Sequence, residues 1–218
     1  MTIQRTVISV SNKAHIIDFA RALETLGITM YVTSGTYQVL KQGGIQLVHH
    51  VSHLTQTPEI VDGAVKTIHH KLISGILARR ENESQMNDLK RLGIDPIDMV
   101  VCNFFSFKEP TDVEDNLPAV LEQIDVGGPN MVRAAVKNLS DVVVIVNPLR
   151  YDEVIRELKT RGDVRQDLRL ELAIEAFQEV VRYDQMNIKF LKKYSKTVIQ
   201  SVNHGLTSTM MDKGYGSG

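Results

Sequence analysis

The sequence predicts an α/β protein built on a mostly parallel, doubly wound sheet, and two observations carry that reading. Short β-branched apolar runs alternate with helical patterns from the start of the chain, as in strand–helix–strand units. The runs are apolar throughout, not at every second position, which suits strands covered by helices on both faces.

Each element has its own justification. Residues 6–10 are β-branched and apolar and read as a buried strand. Ser11-Asn12-Lys13 is a polar turn able to cap a helix. Ile16, Ile17, Phe19, Ala20 and Leu23 then recur at helical spacing until Gly27 stops them. Residues 28–32 read as a second strand, 33–36 as a small-residue turn, 37–42 as helix ending at Gly43-Gly44, and 45–48 as a third strand. Residues 99–104 and 142–146 are two further apolar runs. Residues 150–194 read as helix throughout, with Leu168, Leu172, Ala176 and Phe177 on one stripe. From Ser195 on, Ser, Thr and Gly accumulate, which predicts a flexible tail over 195–218. The expected organisation is a core over 1–149 and a helical extension of the same domain over 150–194.

Composition narrows the class. Of 218 residues, 43% are hydrophobic and 23% charged, which excludes a disordered or collagen-like chain. The formal charge of −1 supplies no basic field to recruit nucleic acid. No apolar run approaches the ~18 residues that span a bilayer, and the polar start is unlike a signal peptide. A lone cysteine, Cys102, leads to the expectation of a reducing, cytoplasmic compartment.

In an open parallel sheet, ligands sit outside the carboxyl ends of the strands. Ser9, Ser11 and Lys13 come after the first predicted strand; Thr33, Ser34, Gly35 and Thr36 come after the second. Hydroxyls, a glycine and helix-start N–H groups suit a phosphate, and a lysine adds charge. The same turns also serve as plain helix caps. A third segment, 62–71, holds Lys66, Thr67 and His69 just before apolar Leu72 and Ile73, and reads equally as a solvated loop. A fourth, Asp125-Val126-Gly127-Gly128-Pro129, opens a helix where glycines permit close approach to backbone N–H groups. On that helix Arg133 and Lys137 lie one turn apart. His49, His50 and His53 are spaced for a metal, but a solvent-facing polar cluster is the simpler reading. Cys102 reads as a small core residue, and Lys189, Lys192 and Lys193 as a solvated helix face.

Taken in order, these segments resemble the inosine-monophosphate cyclohydrolase domain, the N-terminal half of a bifunctional purine-biosynthesis enzyme that also carries a formyltransferase. The matching stretches are 9–13, 33–36, Val65-Lys66-Thr67-Ile68-His69, 75–79, Cys102-Asn103, 124–129 and 131–138, with Ala176-Phe177 and Tyr183-Asp184 later. The resemblance implies a three-layer methylglyoxal-synthase-like fold with C-terminal helices. It implies a purine-type ribonucleotide substrate, 5-formamidoimidazole-4-carboxamide ribotide, closed to inosine monophosphate with loss of water. No metal or organic cofactor is implied. A homodimer and a separate formyltransferase chain are conceivable partners; nucleic acid and membrane are not.

By resemblance, Asp125 and Lys137 form the proton-transfer pair and Lys66 contacts the base or the reacting carboxamide. The substrate-binding set is Ser9, Ser11, Lys13, Thr33, Ser34, Gly35, Thr36, Thr67, His69, Cys102, Asn103, Phe104, Phe105, Val126, Gly127, Gly128 and Asn130, with backbone N–H groups near Val126 and Gly127 facing the oxyanion.

The sequence also departs from the family pattern. Ser34 stands for a glycine, Ala64 for an arginine, His70 for a proline, and Asn130 for a small apolar residue. The tyrosine of the family's catalytic cluster is Phe105, which keeps the ring and loses the phenol. Two further readings therefore stand beside the cyclohydrolase: a relative adapted to another nucleotide-derived heterocycle, and a non-catalytic nucleotide-binding module.

Overall fold

Five parallel strands form one sheet in the order β3-β2-β1-β4-β5 in the computed structural model, which describes residues 2–58, 60–63, 65–104 and 121–211. They are β1 (Arg5–Val10), β2 (Thr29–Val32), β3 (Val48–His50), β4 (Met99–Asn103) and β5 (Val143–Ile145). The chain steps outward from β1 to β3, then returns to β1's other edge with β4. The reversal makes the crevice between the carboxyl ends of β1 and β4 the topological switch point. Register there pairs Ser9 with Cys102 and Val10 with Asn103.

The described helices are α1 (Ile16–Thr25), α2 (Ser34–Gln42), α3 (Val51–Thr55), α4 (His70–Leu77), α5 (Glu83–Arg91), α6 (Gly127–Lys137), α7 (Tyr151–Arg161) and α8 (Gln166–Met211). The chain divides into two units, 1–105 with 125–180 and 106–124 with 181–218. Strand alternation sends Ile8, Val10, Met30, Val101 and Ile145 into one core with Phe19, Leu23, Val154 and Leu168. Phe19 and Tyr151 stack there at 4.2 Å. Val7, Val100 and Val144 point the other way, and α6 packs on β4, β5 and α4. Burial on both faces is why the strands read as unbroken apolar runs.

Three boundaries differ from the sequence reading. The third strand is Val48–His50, not 45–48; Ile45 is buried, and its N–H closes the Gly43-Gly44 turn onto Leu40 O. Residues 34–36 are the first turn of α2, with Thr33 at its N-cap. The helical stretch after 150 breaks at Gly162, whose φ of +71° favours glycine. Past the break, Leu168, Leu172, Ala176 and Val180 are buried while Phe177 faces outward at 48% exposure. Helix continues from Ser195 through Met211.

Candidate functional site

The site is built at the switch point from the bottom up. Asn103 ends β4 and is buried, with its side chain turned onto the loop after β1. Its Oδ1 accepts the N–H groups of Ser11 and Asn12, both at 2.8 Å, and its Nδ2 donates to Asn12 O at 3.3 Å. One side-chain amide thus fixes a turn 91 residues away in sequence. Lys13 folds back from that turn. Its Nζ donates to Val10 O and, at 2.9 Å, to Thr36 Oγ1 in the first turn of α2. Burial pushes the Lys13 ammonium below the usual lysine value, because the charged form loses water. Thr33 Oγ1 donates to Ser9 Oγ at 3.2 Å, so the β1 and β2 turns are joined twice. Gly35 is exposed in the first turn of α2, where orphan N–H groups and the helix dipole favour an anion.

Ser34 is held by a histidine outside the predicted binding set. His50 Nε2 lies 3.0 Å from Ser34 Oγ. His50 Nδ1 accepts the Ser52 N–H and caps α3, which leaves the proton of the neutral ring on Nε2. The signal was available: a histidine at the carboxyl end of a strand, one residue ahead of a helix.

The opposite wall comes from 65–69 and the start of α6. Thr67 is buried against Gly127, where a Cβ would overlap Thr67 Oγ1. A Cβ on Gly128 would overlap the Asp125 carboxylate and come within 3.1 Å of Cys102 Sγ. Glycine is required at both positions by close approach, not by backbone angle. Asp125 Oδ1 accepts the Gly128 N–H at 2.9 Å, so the half-buried carboxylate also caps α6. Beneath it the Cys102 thiol is fully buried, and burial, then the negative charge of Asp125, pushes its pKa well up.

Lys66 and His69 line a solvent-open cleft with Val51, Thr55, Thr57 and Ile60. His69 Nδ1 accepts the Lys71 N–H and caps α4, and Nε2 lies 3.3 Å from Thr57 Oγ1. Burial first, then the positive charges of His70 and Lys71, lowers the His69 pKa and keeps the ring neutral. Among the described residues, no three His, Cys, Asp or Glu side chains are grouped to hold a metal ion.

The sequence model of the MGS-like domain matches residues 15–130, more than half of the chain and the elements of this crevice from α1 to the start of α6. This chain belongs to the MGS-like domain family. A second model, the AICARFT/IMPCHase bienzyme, matches residues 135–217. The bifunctional purine biosynthesis protein PurH of Acetivibrio thermocellus is 44% identical over 193 residues, covering 88% of this chain and 37% of that protein. PurH of Bacillus subtilis is 41% identical over 192 residues, with the same shares of 88% and 37%. The chain therefore spans little more than a third of these curated relatives. The crystal structure of ForH superimposes with a TM-score of 0.77 at 34% identity, over 84% of this chain and 96% of that one.

In this MGS-like chain the crevice gathers Ser9, Ser11, Lys13, Thr33, Ser34, Gly35, Thr36 and Asn103 on one wall, joined through Asn103, Lys13 and the Thr33–Ser9 hydrogen bond. Thr67, Asp125, Gly127 and Gly128 form the other, and Lys66 immediately precedes Thr67 in the chain. Val126 is exposed and Asn130 half-buried in the first turn of α6. Phe104 is buried at the end of β4. Phe105 and Ala64 lie outside the described residues. Lys137 is not brought to Asp125. It is exposed at the last position of the eleven-residue α6, whose first turn Asp125 caps. At about 1.5 Å per residue the two ends are roughly 16 Å apart. Among the described residues, no helix is long and apolar enough to cross a membrane.

Proposed function

We propose that this chain is an inosine-monophosphate cyclohydrolase-type enzyme that closes 5-formamidoimidazole-4-carboxamide ribotide to inosine monophosphate with loss of water. One observation carries the reading: a phosphate-suited pair of turns and a carboxylate beside a lysine segment face one switch-point crevice. The similarity to PurH supports it.

The α2 N-terminus, Ser11 and Lys13 take the ribotide phosphate. The heterocycle then reaches Lys66 and the first turn of α6. The carboxamide nitrogen attacks the formyl carbon, and Asp125 accepts the nitrogen's proton as the bond forms. The formyl oxygen becomes an oxyanion beside the N–H groups of Val126 and Gly127, which lack helical partners at this end of α6. The oxyanion takes up the proton held by Asp125 to become a hydroxyl. That hydroxyl leaves as water with a second proton from a cation, while the formamido nitrogen gives up its own proton to solvent and the ring C=N bond forms. Lys66 takes that role within one chain, since Lys137 stands a helix length from Asp125.

The test is the ultraviolet change on mixing the protein with the formamido ribotide. Turnover above the spontaneous background, lost in Asp125→Asn and Lys66→Ala, is the expected result. Tight binding of inosine monophosphate without turnover overturns it and favours the second reading, a relative acting on another nucleotide-derived heterocycle. That reading is favoured by Phe105, which lacks the family's phenol, and by Ala64, which lacks its guanidinium.

A further inference from the structure

Ser34 stands where the family pattern has a glycine, so its side chain must either crowd a phosphate at the α2 N-terminus or bond to it. The geometry around His50 decides between the two. β3 lies beside β2 with His50 opposite Val32, two residues before Ser34, which brings the imidazole against the first turn of α2. His50 Nδ1 meets Ser52 twice, 3.3 Å from its backbone nitrogen and 2.8 Å from its Oγ. A backbone N–H can only donate, so Nδ1 accepts and the neutral ring carries its proton on Nε2, 3.0 Å from Ser34 Oγ. Tyr37, one turn further along α2, meets the imidazole edge-on with ring centres 5.9 Å apart. The ring is thus fixed in orientation and in tautomer.

With a donor from His50 entering its oxygen, Ser34 turns its hydroxyl hydrogen away from the ring. Donation into a hydroxyl also strengthens the bond that the hydroxyl itself gives. Next to it Gly35 is exposed, and a Cβ there would meet nothing outside its own helix turn within 4 Å among the described residues. The turn is therefore open to a ligand on the side of the α2 N-terminus.

We propose that His50 is a positioning residue for phosphate, holding Ser34 as a hydrogen-bond donor to the phosphate monoester of the ligand. The side chain that replaces the glycine is then a contact and not an obstruction. This role rests on the reading of these turns as the ribotide phosphate site, and His50 itself touches no reacting atom.

Two substitutions separate the role from the cap that His50 also gives α3. Asparagine sets an acceptor at the level of Nδ1, so it keeps the cap and stops short of Ser34. Glutamine sets an amide N–H at the level of Nε2, so it keeps the bond to Ser34 and caps poorly. Calorimetric titration should show His50→Asn about tenfold or more weaker than the parent for inosine monophosphate and unchanged for inosine, which has no phosphate. Its thermal stability and kcat should be kept while KM rises. His50→Gln should be the less stable variant and still bind inosine monophosphate near the parent's affinity. In a Ser34→Gly background, His50→Asn should cause no further loss, because the partner is gone. Equal affinity in the parent and His50→Asn, an equal loss for inosine, or additive effects in the double variant overturns the proposal. A chain that binds inosine monophosphate with this dependence on His50 but has no turnover supports the proposal and overturns the cyclohydrolase reaction. A parent with no preference for inosine monophosphate over inosine overturns the phosphate site and the role of His50 together.

Discussion

The two ends of the sheet carry similar charged residues and use them in opposite ways. At the amino end, Asp98 and Arg80 are both 9% exposed and 3.4 Å apart. Asp98 Oδ2 accepts the N–H groups of Gln4 and Arg5, and Arg80 donates to Ile97 O and Ala78 O. Their hydrogen-bonding capacity is spent on backbone, which closes that end of β1 and β4. At the carboxyl end, Lys13, Lys66 and Asp125 are only half-buried. Among the described residues, Lys13 and Asp125 each make a single backbone contact, to Val10 O and the Gly128 N–H, and the β1 turn is held chiefly by Asn103. A charge that holds backbone serves stability; a charge held in place by backbone and kept in reach of solvent is available to a ligand.

The sharpest way to break this contrast is to remove one charge from each end. Asp125→Asn and Lys66→Ala should lower turnover on the formamido ribotide by about a hundredfold or more, as loss of a proton-transfer or oxyanion group does. Thermal unfolding should move little. Asp98→Ala should do the reverse, costing about 3–5 kcal/mol because Arg80 is left buried without its partner. Denaturant unfolding measures that loss, and turnover per folded molecule should be kept. If Asp98→Ala proves as stable as the parent, the amino-end pair is not structural.

A smaller effect separates holding from touching at the carboxyl end. Asn103→Ala frees two N–H groups of the phosphate-side turn, so KM should rise about tenfold while kcat changes less. Equal falls in kcat and unchanged KM would mean that Asn103 contacts the reacting groups.

The smallest effect is a pH dependence. Burial sets the Lys13 pKa below 10.5 in the folded chain, so the folded state holds its proton less tightly than the unfolded one. The burial cost is present in full below the folded pKa, and stability from this group rises with pH between the folded value and 10.5. Affinity for an anionic ligand runs the other way and falls as pH rises through the folded value. Titration of inosine-monophosphate binding should show that alkaline loss in the parent and not in Lys13→Arg, whose guanidinium stays charged.

Much of this is legible in the sequence because it is local. Strands covered on both faces leave unbroken apolar runs, and 6–10 and 99–103 are readable for that reason. The turns holding Ser11, Lys13, Thr33 and Gly35 come from the rule for open parallel sheets. What is not legible is what the sheet brings together from afar. In the sequence Asn103 reads as one more ligand contact, and only β1–β4 pairing shows it gripping the β1 turn. His50 reaches Ser34 because β3 lies beside β2. Resemblance pairs Lys137 with Asp125, yet helical rise along α6 carries it to the far end. Phe177 sits one position from Ala176, and that rotation of about 100° turns it from the core to the surface.

The clamp made by Asn103 also orders events in time. Its bonds to Ser11 and Asn12 close a loop of 91 residues, at a cost of about 4 kcal/mol in chain entropy. Contacts so distant in sequence form late in folding. The β1 turn therefore gains its ligand-ready shape only when β4 docks, after β2 and β3 have had the opportunity to assemble beside β1. A refolding chain should recover nucleotide binding with the rate constant of that last docking step, so the ligand acts as a stopwatch for completion of the sheet.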